Sequence, residues 1–242
     1  MLTIRRANER GRTDIDWLDS WHTFSFGEYH EPRHMNFRDL RVINDDRVAG
    51  GGGFDTHPHR DMEIITVVLD GELKHRDSLG SEGSIRPGEV QVMTAGRGIR
   101  HSEFNGSRER PVHLLQIWIM PEARGLPAAY AQKDFGIAAR RNKLVRVAGR
   151  EGVERDGALK INQDVDVYVT DLDGGATVGH ALRPGRGAWV HVATGSATVN
   201  GQKLGAGDAV GIEGAAEVTI EGASTSKDGG GAPATVLVFD CR

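Results

Sequence analysis

The sequence predicts an all-β fold, and three observations support this prediction. Glycine accounts for 33 of the 242 residues, about twice the usual share, which implies many tight turns. Short apolar and β-branched runs alternate with turn residues along most of the chain. One stretch alone, residues 121–141, has the alanine content of a helix, and Gly125, Pro127 and Gly136 interrupt it.

In the first half of the chain, strands are predicted where apolar runs end at turn residues. The run that begins at Glu63 ends at Asp70-Gly71, and the next run begins at hairpin distance. Asp45 and Asp46 are interpreted as the residues that close the first strand. The predicted strands are residues 40–44, 63–69, 73–76, 89–93 and 112–120. Residues 121–141 are predicted to form a short helical connector between two halves.

The second half has the same pattern of strands and turns. Its predicted strands are residues 143–147, 165–172, 188–193, 197–199, 209–212, 217–220 and 235–239. The composition of residues 222–234 predicts a flexible surface loop.

A weak internal repeat relates the two halves and predicts that each is the same β unit. The sequence at 67–71 and 87–90 matches the sequence at 192–195 and 206–209. When Gly71 is set on Gly195, the positions of His57 and His59 fall on an alanine and an arginine. The second half therefore lacks the histidine pair of the first, and its own histidines, His180 and His191, are interpreted as packing or surface residues.

Charge and hydropathy exclude several classes of protein. The net charge of -4 and the isoelectric point near 6.2 provide no positive field for direct nucleic-acid binding. The charged N-terminal sequence has no apolar signal region, and no run of 18 apolar residues occurs. We therefore expect no membrane association and a cytoplasmic protein. Cys241 is the single cysteine, which agrees with a reducing compartment and makes a poor candidate nucleophile.

The most informative feature is two short clusters, His57-Pro58-His59 and His101-Ser102-Glu103. Side chains alternate between the two faces of a strand, so the two outer members of each cluster can share a face. Three neutral imidazoles and one carboxylate suit a divalent transition metal and leave coordination positions open for substrate or dioxygen. The clusters therefore predict one catalytic metal site in the N-terminal half.

The motifs around these clusters resemble those of a known family. The spacing from Gly51 through His57 to Gly71 resembles the first cupin motif, and the spacing from Gly88 to His101 and beyond resembles the second. The strings at 21–26 (WHTFSF), 40–46 (LRVINDD), 57–59 (HPH) and 93–103 (MTAGRGIRHSE) are more specific and resemble the pirin family. The likeness is strong over residues 1–125, and it extends to bacterial pirin-like proteins that act as quercetin 2,3-dioxygenases.

The resemblance implies a bicupin: two stacked β barrels of the double-stranded β-helix or jelly-roll type. The implied division is an N-terminal metal-binding cupin domain (residues 1–125), a connector (126–142) and a degenerate C-terminal cupin domain (143–242). The implied metal ligands are His57, His59, His101 and Glu103. The implied ion is iron first, with copper, nickel, manganese, cobalt or zinc as alternatives.

The implied activity is a dioxygenase of flavonoid metabolism that cleaves the heterocyclic ring of a flavonol such as quercetin. Its partners would be that aromatic small molecule and dioxygen. Glu103, or Glu63 beside the metal, is the expected acceptor of the substrate's hydroxyl proton. The general cupin pattern makes Glu63 the carboxylate ligand, whereas the pirin-like pattern makes it Glu103, with Glu63 orienting an imidazole. We predict the second arrangement.

Two other functions remain open from the sequence. Some pirins are regulatory cofactors that carry a metal and act through protein contacts, and a cupin can also support different small-molecule chemistry. A hydrolase triad of Ser20, His22 and Asp19 is rejected because adjacency in sequence does not provide the required spatial relay. His75 and His113 are interpreted as structural or exposed residues.

Overall fold

The computed structural model describes residues 1–223 and 232–242. These residues form 22 β-strands, one short α-helix, α1 (Val153–Asp156), and three 3-10 turns, Ala7–Glu9, Pro32–His34 and Ala138–Arg140. None of the helices found in the described residues has both the length and the apolar character needed to cross a membrane. The all-β prediction is confirmed. The middle of the loop expected at 222–234 lies outside the described residues.

The first twelve strands supply the N-terminal half and one strand of the other half. They are β1 (Leu2–Arg5), β2 (Gly11–Ile15), β3 (Leu18–His22), β4 (Leu40–Val48), β5 (Gly53–His59), β6 (Glu63–Asp70), β7 (Leu73–Asp77), β8 (Glu82–Ile85), β9 (Glu89–Thr94), β10 (Ile99–Asn105), β11 (Val112–Ile119) and β12 (Ala129–Asp134).

The remaining strands belong to the C-terminal half. They are β13 (Val145–Gly149), β14 (Leu159–Lys160), β15 (Val165–Leu172), β16 (Thr177–Ala181), β17 (Gly187–Thr194), β18 (Ser196–Val199), β19 (Gln202–Gly205), β20 (Ala209–Glu213), β21 (Glu217–Gly222) and β22 (Ala234–Cys241).

Each half consists of a seven-stranded sheet and a four-stranded sheet. The N-terminal sheets have the orders β12-β9-β6-β11-β4-β3-β2 and β5-β10-β7-β8. The C-terminal sheets have the orders β1-β20-β17-β22-β15-β13-β14 and β16-β21-β18-β19. Each strand of one half has a counterpart at the same position in the sheets of the other half. The internal repeat predicted from the sequence is therefore present as two similar β units. This is the bicupin architecture, although the paired sheets do not close into barrels.

The two large sheets share one hydrophobic core. It contains Ile43, Leu115 and Ile117 from the first half, and Val167 and Phe239 from the second, all buried. Because side chains alternate along a strand, the even-numbered residues of β11 point the other way, into the N-terminal half. The same alternation on β4 directs residues 44 and 46 into that half. One face of β4 and β11 therefore packs in the core shared by the two halves, and the other face lines the interior of the N-terminal half.

One edge strand of each seven-stranded sheet comes from an unexpected part of the sequence. β1 pairs with β20, so the N-terminus completes the C-terminal sheet. β12 pairs with β9, and it occupies residues that were expected to be a helical connector. In that segment, helical structure is confined to the 3-10 turn at Ala138–Arg140. Pairing with the exposed edge of β9 satisfies six residues of backbone and outweighs the helix propensity of two alanines.

Candidate metal centre

The two histidine clusters lie on adjacent, hydrogen-bonded strands of the four-stranded sheet. β10 runs antiparallel to β5, with His101 opposite His57 and Ile99 opposite His59. Alternation along both strands directs the three imidazoles to the same face, which is the inner one. Ligand atoms of His57, His59 and His101 all lie within 4.8 Å of one another. The two clusters that are 44 residues apart in sequence therefore form one group.

Hydrogen bonds leave the correct ring nitrogens free for a metal. The Nδ1 atom of His57 lies 2.7 Å from the backbone oxygen of Asp55. Since a carbonyl oxygen only accepts, this contact places the proton on Nδ1 and the lone pair on Nε2. The Nε2 atom of His101 is buried and has no hydrogen-bond partner among the described residues. A buried nitrogen without a partner is costly, and a bound metal ion would satisfy it.

Glu103 provides a buried carboxylate next to these histidines. The register between β10 and β5 shifts between His101 and Glu103, which marks a bulge. The Oε2 atom of Glu103 accepts a hydrogen bond of 2.8 Å from the side-chain amide of Gln116. The Oε1 atom is buried and has no partner in the described part of the chain. Glu103 lies within ligand distance of His101, in a second group that also contains His75.

These donors fit a divalent metal. Three imidazoles and one carboxylate are a ligand set for a transition ion, and two of the four residues hold a buried atom without a partner in the described part of the chain. His101 connects the two groups, because it belongs to both. The structure therefore contains a cluster of histidine and glutamate side chains that could bind a metal ion.

Burial keeps the imidazoles of His101 and His59 neutral, which is the state that ligates a metal. It lowers the pKa of His101 to about 2, and the neighbouring histidines His57, His59 and His75 lower it further. Burial also lowers the pKa of His59 to about 4, with a smaller contribution from His57. These residues are therefore unprotonated at neutral pH without the help of the metal.

Burial has the opposite effect on two carboxyl groups at the site. It raises the pKa of Glu103 to about 8, and the negative charge of Asp46 contributes to this shift. It raises the pKa of Asp46 to about 7, which hydrogen bonding to Ser20 partly opposes. The site therefore holds two carboxyl groups that bind protons near neutral pH.

The cluster opens into a cavity of about 300 Å³. This is the lower end of the usual range for small-molecule sites. Its wall contains both apolar or aromatic side chains and polar or charged ones. The lining residues are Leu18, Ser20, Phe26, Asn44, Asp46, Phe54, His57, His59, Glu103, Gln116 and Trp118.

Asp46 and Trp118 were not predicted to be site residues. Asp46 was interpreted as a turn residue, but β4 continues to Val48 and carries Asp46 into the interior. The Oδ1 atom of Asp46 is buried without a partner among the described residues. The Trp118 ring stands edge-on to His59, with 5.0 Å between ring centroids. The sequence could have indicated Asp46 if the predicted strand had been extended past Asn44, because residues 44 and 46 of one strand point to the same face.

Glu63 is not at the site, which corrects the expectation that it orients an imidazole or accepts the substrate proton. Its Oε2 atom accepts from the hydroxyl of Thr94 at 2.8 Å, and its Oε1 atom accepts from the amide of Asn162 at 3.1 Å. Glu63 begins β6, which belongs to the other sheet. The strand that carries His57 and His59 ends before it, so the shared parity of residues 57, 59 and 63 has no structural meaning.

The rejected candidates also have defined places in the structure. The Nδ1 atom of His22 lies 2.8 Å from the side-chain oxygen of Asn44, and Asp19 pairs with Arg12, so these residues do not form a triad. Cys241 is buried, and burial raises the pKa of its thiol. Both features argue against nucleophilic catalysis at these positions.

Comparison with known proteins gives matches along nearly the whole chain. The family model described as Pirin matches residues 3–119, and the model described as Quercetinase C-terminal cupin domain matches residues 148–241. A protein of Escherichia coli K12 named quercetin 2,3-dioxygenase is 43% identical over 240 residues, which cover 99% of this chain and 98% of that protein. A pirin-like protein of Caulobacter vibrioides is 41% identical over 91% of this chain and 94% of its own length.

A solved structure of similar fold adds information about the metal. The bacterial pirin YhhW of Escherichia coli, in complex with nickel(II), superposes with a TM-score of 0.89 at 42% identity, over 100% of this chain and 99% of that one. The similarity extends over both halves, including the second half, where the motifs in the sequence are weak.

Proposed function

The chain belongs to the pirin family, and from that premise we propose that it is a metal-dependent dioxygenase that opens the heterocyclic ring of a flavonol such as quercetin. One observation carries the proposal most directly: three histidines and a glutamate, two of which hold a buried atom without a partner among the described residues, lie at a cavity that is partly aromatic. The name of the related Escherichia coli protein supports the choice of substrate.

His57, His59, His101 and Glu103 would hold the ion. Bound there, the metal would supply a Lewis acid that stabilises the deprotonated 3-hydroxyl of the flavonol. The proposed ion is iron, with nickel, copper, manganese, cobalt and zinc as alternatives. Nickel is the ion in the related YhhW structure.

Asp46 is the best-placed acceptor of the substrate's hydroxyl proton. It lines the cavity, and its Oδ1 atom has no partner among the described residues. A general base works best when its pKa lies near the working pH, and the pKa of Asp46 is raised to about 7. Glu103, the other candidate, cannot take up a proton on the oxygen with which it ligates a metal. Asp46 therefore takes the role that the sequence assigned to Glu103 or Glu63.

The aromatic residues would position the flat substrate and exclude water. Phe26 and Trp118 contact each other edge to face, with 5.4 Å between ring centroids, and both line the cavity together with Phe54. Flat aromatic ligands pack well against such rings. In the overall reaction, both atoms of dioxygen enter the ring-opened product, and one carbon of the heterocycle leaves as carbon monoxide.

The test is a comparison of metal-loaded and metal-free protein under controlled oxygen. The protein is loaded anaerobically with each ion in turn, and quercetin and oxygen are then added. We expect loss of the flavonol absorbance and release of carbon monoxide with loaded wild type, and neither with the metal-free protein. Glu103→Gln should abolish turnover, whereas Glu63→Gln, a matched change at a buried glutamate away from the cavity, should retain it.

Two outcomes would contradict the proposal. Turnover by the metal-free protein would remove the metal from the mechanism. Binding of metal without turnover of any flavonol would favour the regulatory role or a different cupin chemistry, because both need the same ligands but no oxidation of this substrate.

A further inference from the structure

A fourth histidine lies behind the metal cluster. His75 is on β7, which pairs with β10 on the side away from β5, and Asp77 lies opposite His101 in that pairing. The His75 side chain is buried, and its ring stacks on Tyr130 with 4.8 Å between centroids. From the sequence this residue was interpreted as structural or exposed rather than as a ligand, and in the structure it is buried against His101.

The hydrogen bonds of His75 form a chain with a direction. The Nδ1 atoms of His101 and His75 are 3.4 Å apart, and the Nε2 atom of His75 lies 3.1 Å from Oδ2 of Asp77. A carboxylate accepts, so Nε2 of His75 carries the proton and Nδ1 of His75 has the lone pair. That lone pair accepts from Nδ1–H of His101. His101 is then left with a lone pair on Nε2, the nitrogen that has no partner among the described residues.

We propose that His75, held by Asp77, is a positioning residue that fixes the tautomer and ring orientation of His101 for metal binding. The inference rests on the proposed metal site. Partners of this kind around a ligating histidine typically change metal affinity by about 10- to 100-fold when they are removed. In this chain the partner is a second imidazole, and Asp77 sets its tautomer.

The contacts argue against the alternative that His75 is itself a ligand. It shares a group of potential ligand atoms with His101 and Glu103. However, one of its ring nitrogens faces His101 and the other faces Asp77, so neither is free. Asp77 is also fixed, because its Oδ1 atom accepts from the backbone N–H groups of Leu79 and Ser81 at 2.9 and 3.0 Å.

This fixed geometry makes Asp77→Asn a sharp test. The two backbone donors should hold the asparagine oxygen at the Oδ1 position and turn its NH₂ group toward His75. His75 must then accept at Nε2 and carry its proton on Nδ1. His101 in turn must accept at Nδ1 and carry its proton on Nε2, where the metal would bind. The substitution should therefore reverse the direction of these hydrogen bonds while leaving the fold unchanged.

Two readouts test the proposal. Nitrogen-15 NMR of the metal-free wild type should show the proton of His101 on Nδ1, and in Asp77→Asn it should show that proton on Nε2. Titration with nickel(II) should show affinity that is about 10- to 100-fold lower in Asp77→Asn. The matched control is Asp240→Asn, the same change at the His180–Asp240 pair of the second half, which should leave the affinity for nickel(II) unchanged.

The outcomes separate this proposal from the proposed function. A proton on Nε2 of His101 in the wild type, or wild-type nickel affinity in Asp77→Asn, would overturn the positioning role. If wild type binds no metal, the proposed function fails, whereas the tautomer measurement still decides whether His75 and Asp77 set the state of His101. That measurement on the wild type needs no variant, so the proposal stays testable even if Asp77→Asn does not fold.

Discussion

The two halves have the same strand order, but the ion pairs around Asp240 and Arg146 in the second half contrast with the unpaired groups at the metal centre of the first. In the second half, Asp240 pairs with both His180 and Arg186, and Arg146 pairs with Asp166 at 2.9 Å and Asp156 at 2.7 Å. In the first half, His101, Glu103 and Asp46 lie at the candidate metal centre, and each has a buried atom that has no partner among the described residues.

The difference separates stability from function within one architecture. Buried ion pairs satisfy each other and cannot bind a third group without breaking. Unpaired buried donors and acceptors cost stability, but they are available to a ligand. The paired residues of the second half are therefore not free to bind a ligand, whereas the unpaired atoms at the metal centre of the first half are free to do so, at a cost in stability. The predictions below test this contrast, from the largest expected effect to the smallest.

Loss of a ligand should have the largest effect on metal binding. We expect His101→Ala to weaken the binding of a divalent ion by more than about 100-fold, because removing a ligand should exceed the effect of removing its neighbours. Isothermal titration with nickel(II) measures this change. His180→Ala, the control in the second half, should bind metal like wild type. Unchanged binding by His101→Ala would show that the metal lies elsewhere.

In the second half, breaking a pair should affect stability and leave metal binding intact. Arg186→Met leaves the buried Asp240 carboxylate without its guanidinium partner. Breaking a buried pair in this way costs about 3–5 kcal/mol, and each kcal/mol lowers Tm by about 2–4 °C in a chain of this size. Calorimetry should detect the decrease, and titration should give wild-type affinity. A loss of metal with the melting temperature unchanged would contradict the assignment of roles to the two halves.

Metal affinity should increase with pH up to about 8. His101 and His59 do not compete with protons in mild acid, because burial already lowers the pKa of His101 to about 2 and that of His59 to about 4. Glu103, with its pKa raised to about 8, must lose a proton to ligate. Displacing one proton gives a change of about tenfold per pH unit below that pKa. Titrations from pH 6 to 9 test this slope, and a flat profile would exclude Glu103 as the group that loses the proton.

Removing the buried charge should stabilise the metal-free protein at high pH. A carboxyl whose folded pKa is raised contributes full stability below its unfolded pKa, and this contribution is lost as pH rises through the folded value. For Glu103, the loss occurs between about pH 4.5 and 8. Glu103→Gln should therefore raise Tm at pH 9, by about 2–4 °C for each kcal/mol recovered, and should change it little at pH 5. A lower Tm at pH 9 would contradict this explanation.

Local sequence patterns predicted the fold and part of the site. The strands predicted from residue 40 onward are all present, with ends displaced by at most four residues. His57 and His59 could be assigned to the site because they lie on one strand at i, i+2 spacing, and His101 and Glu103 could be assigned to it for the same reason. Helix propensity misassigned Ala129–Asp134, because pairing with a distant strand decides the conformation of that segment.

The remaining site residues depend on long-range pairing that the sequence does not reveal. His75 belongs to the site because β7 pairs with β10, and Asp46 belongs to it because β4 faces the same interior. Glu63 was misplaced for a related reason. Between His59 and Glu63 the chain turns through Asp61, which has a positive φ of 50°, and enters the other sheet. Parity counted across that turn no longer reports a shared face.

The smallest expected effect distinguishes the two buried glutamates. Glu63→Gln should leave metal affinity within about twofold of wild type. Glu63 contacts neither the proposed ligands nor their hydrogen-bond partners, and changes at sites without shared partners act nearly independently. Its partners, Thr94 and Asn162, can exchange donor and acceptor roles with an amide. Burial raises the pKa of Glu63, so replacing the carboxyl by a neutral amide also removes a desolvation cost, and Tm should not decrease. Parallel nickel(II) titrations of Glu63→Gln and Glu103→Gln make the comparison. If Glu63→Gln loses the metal while Glu103→Gln keeps it, the general cupin ligand set applies, and Glu103 is a buried acid of the cavity wall.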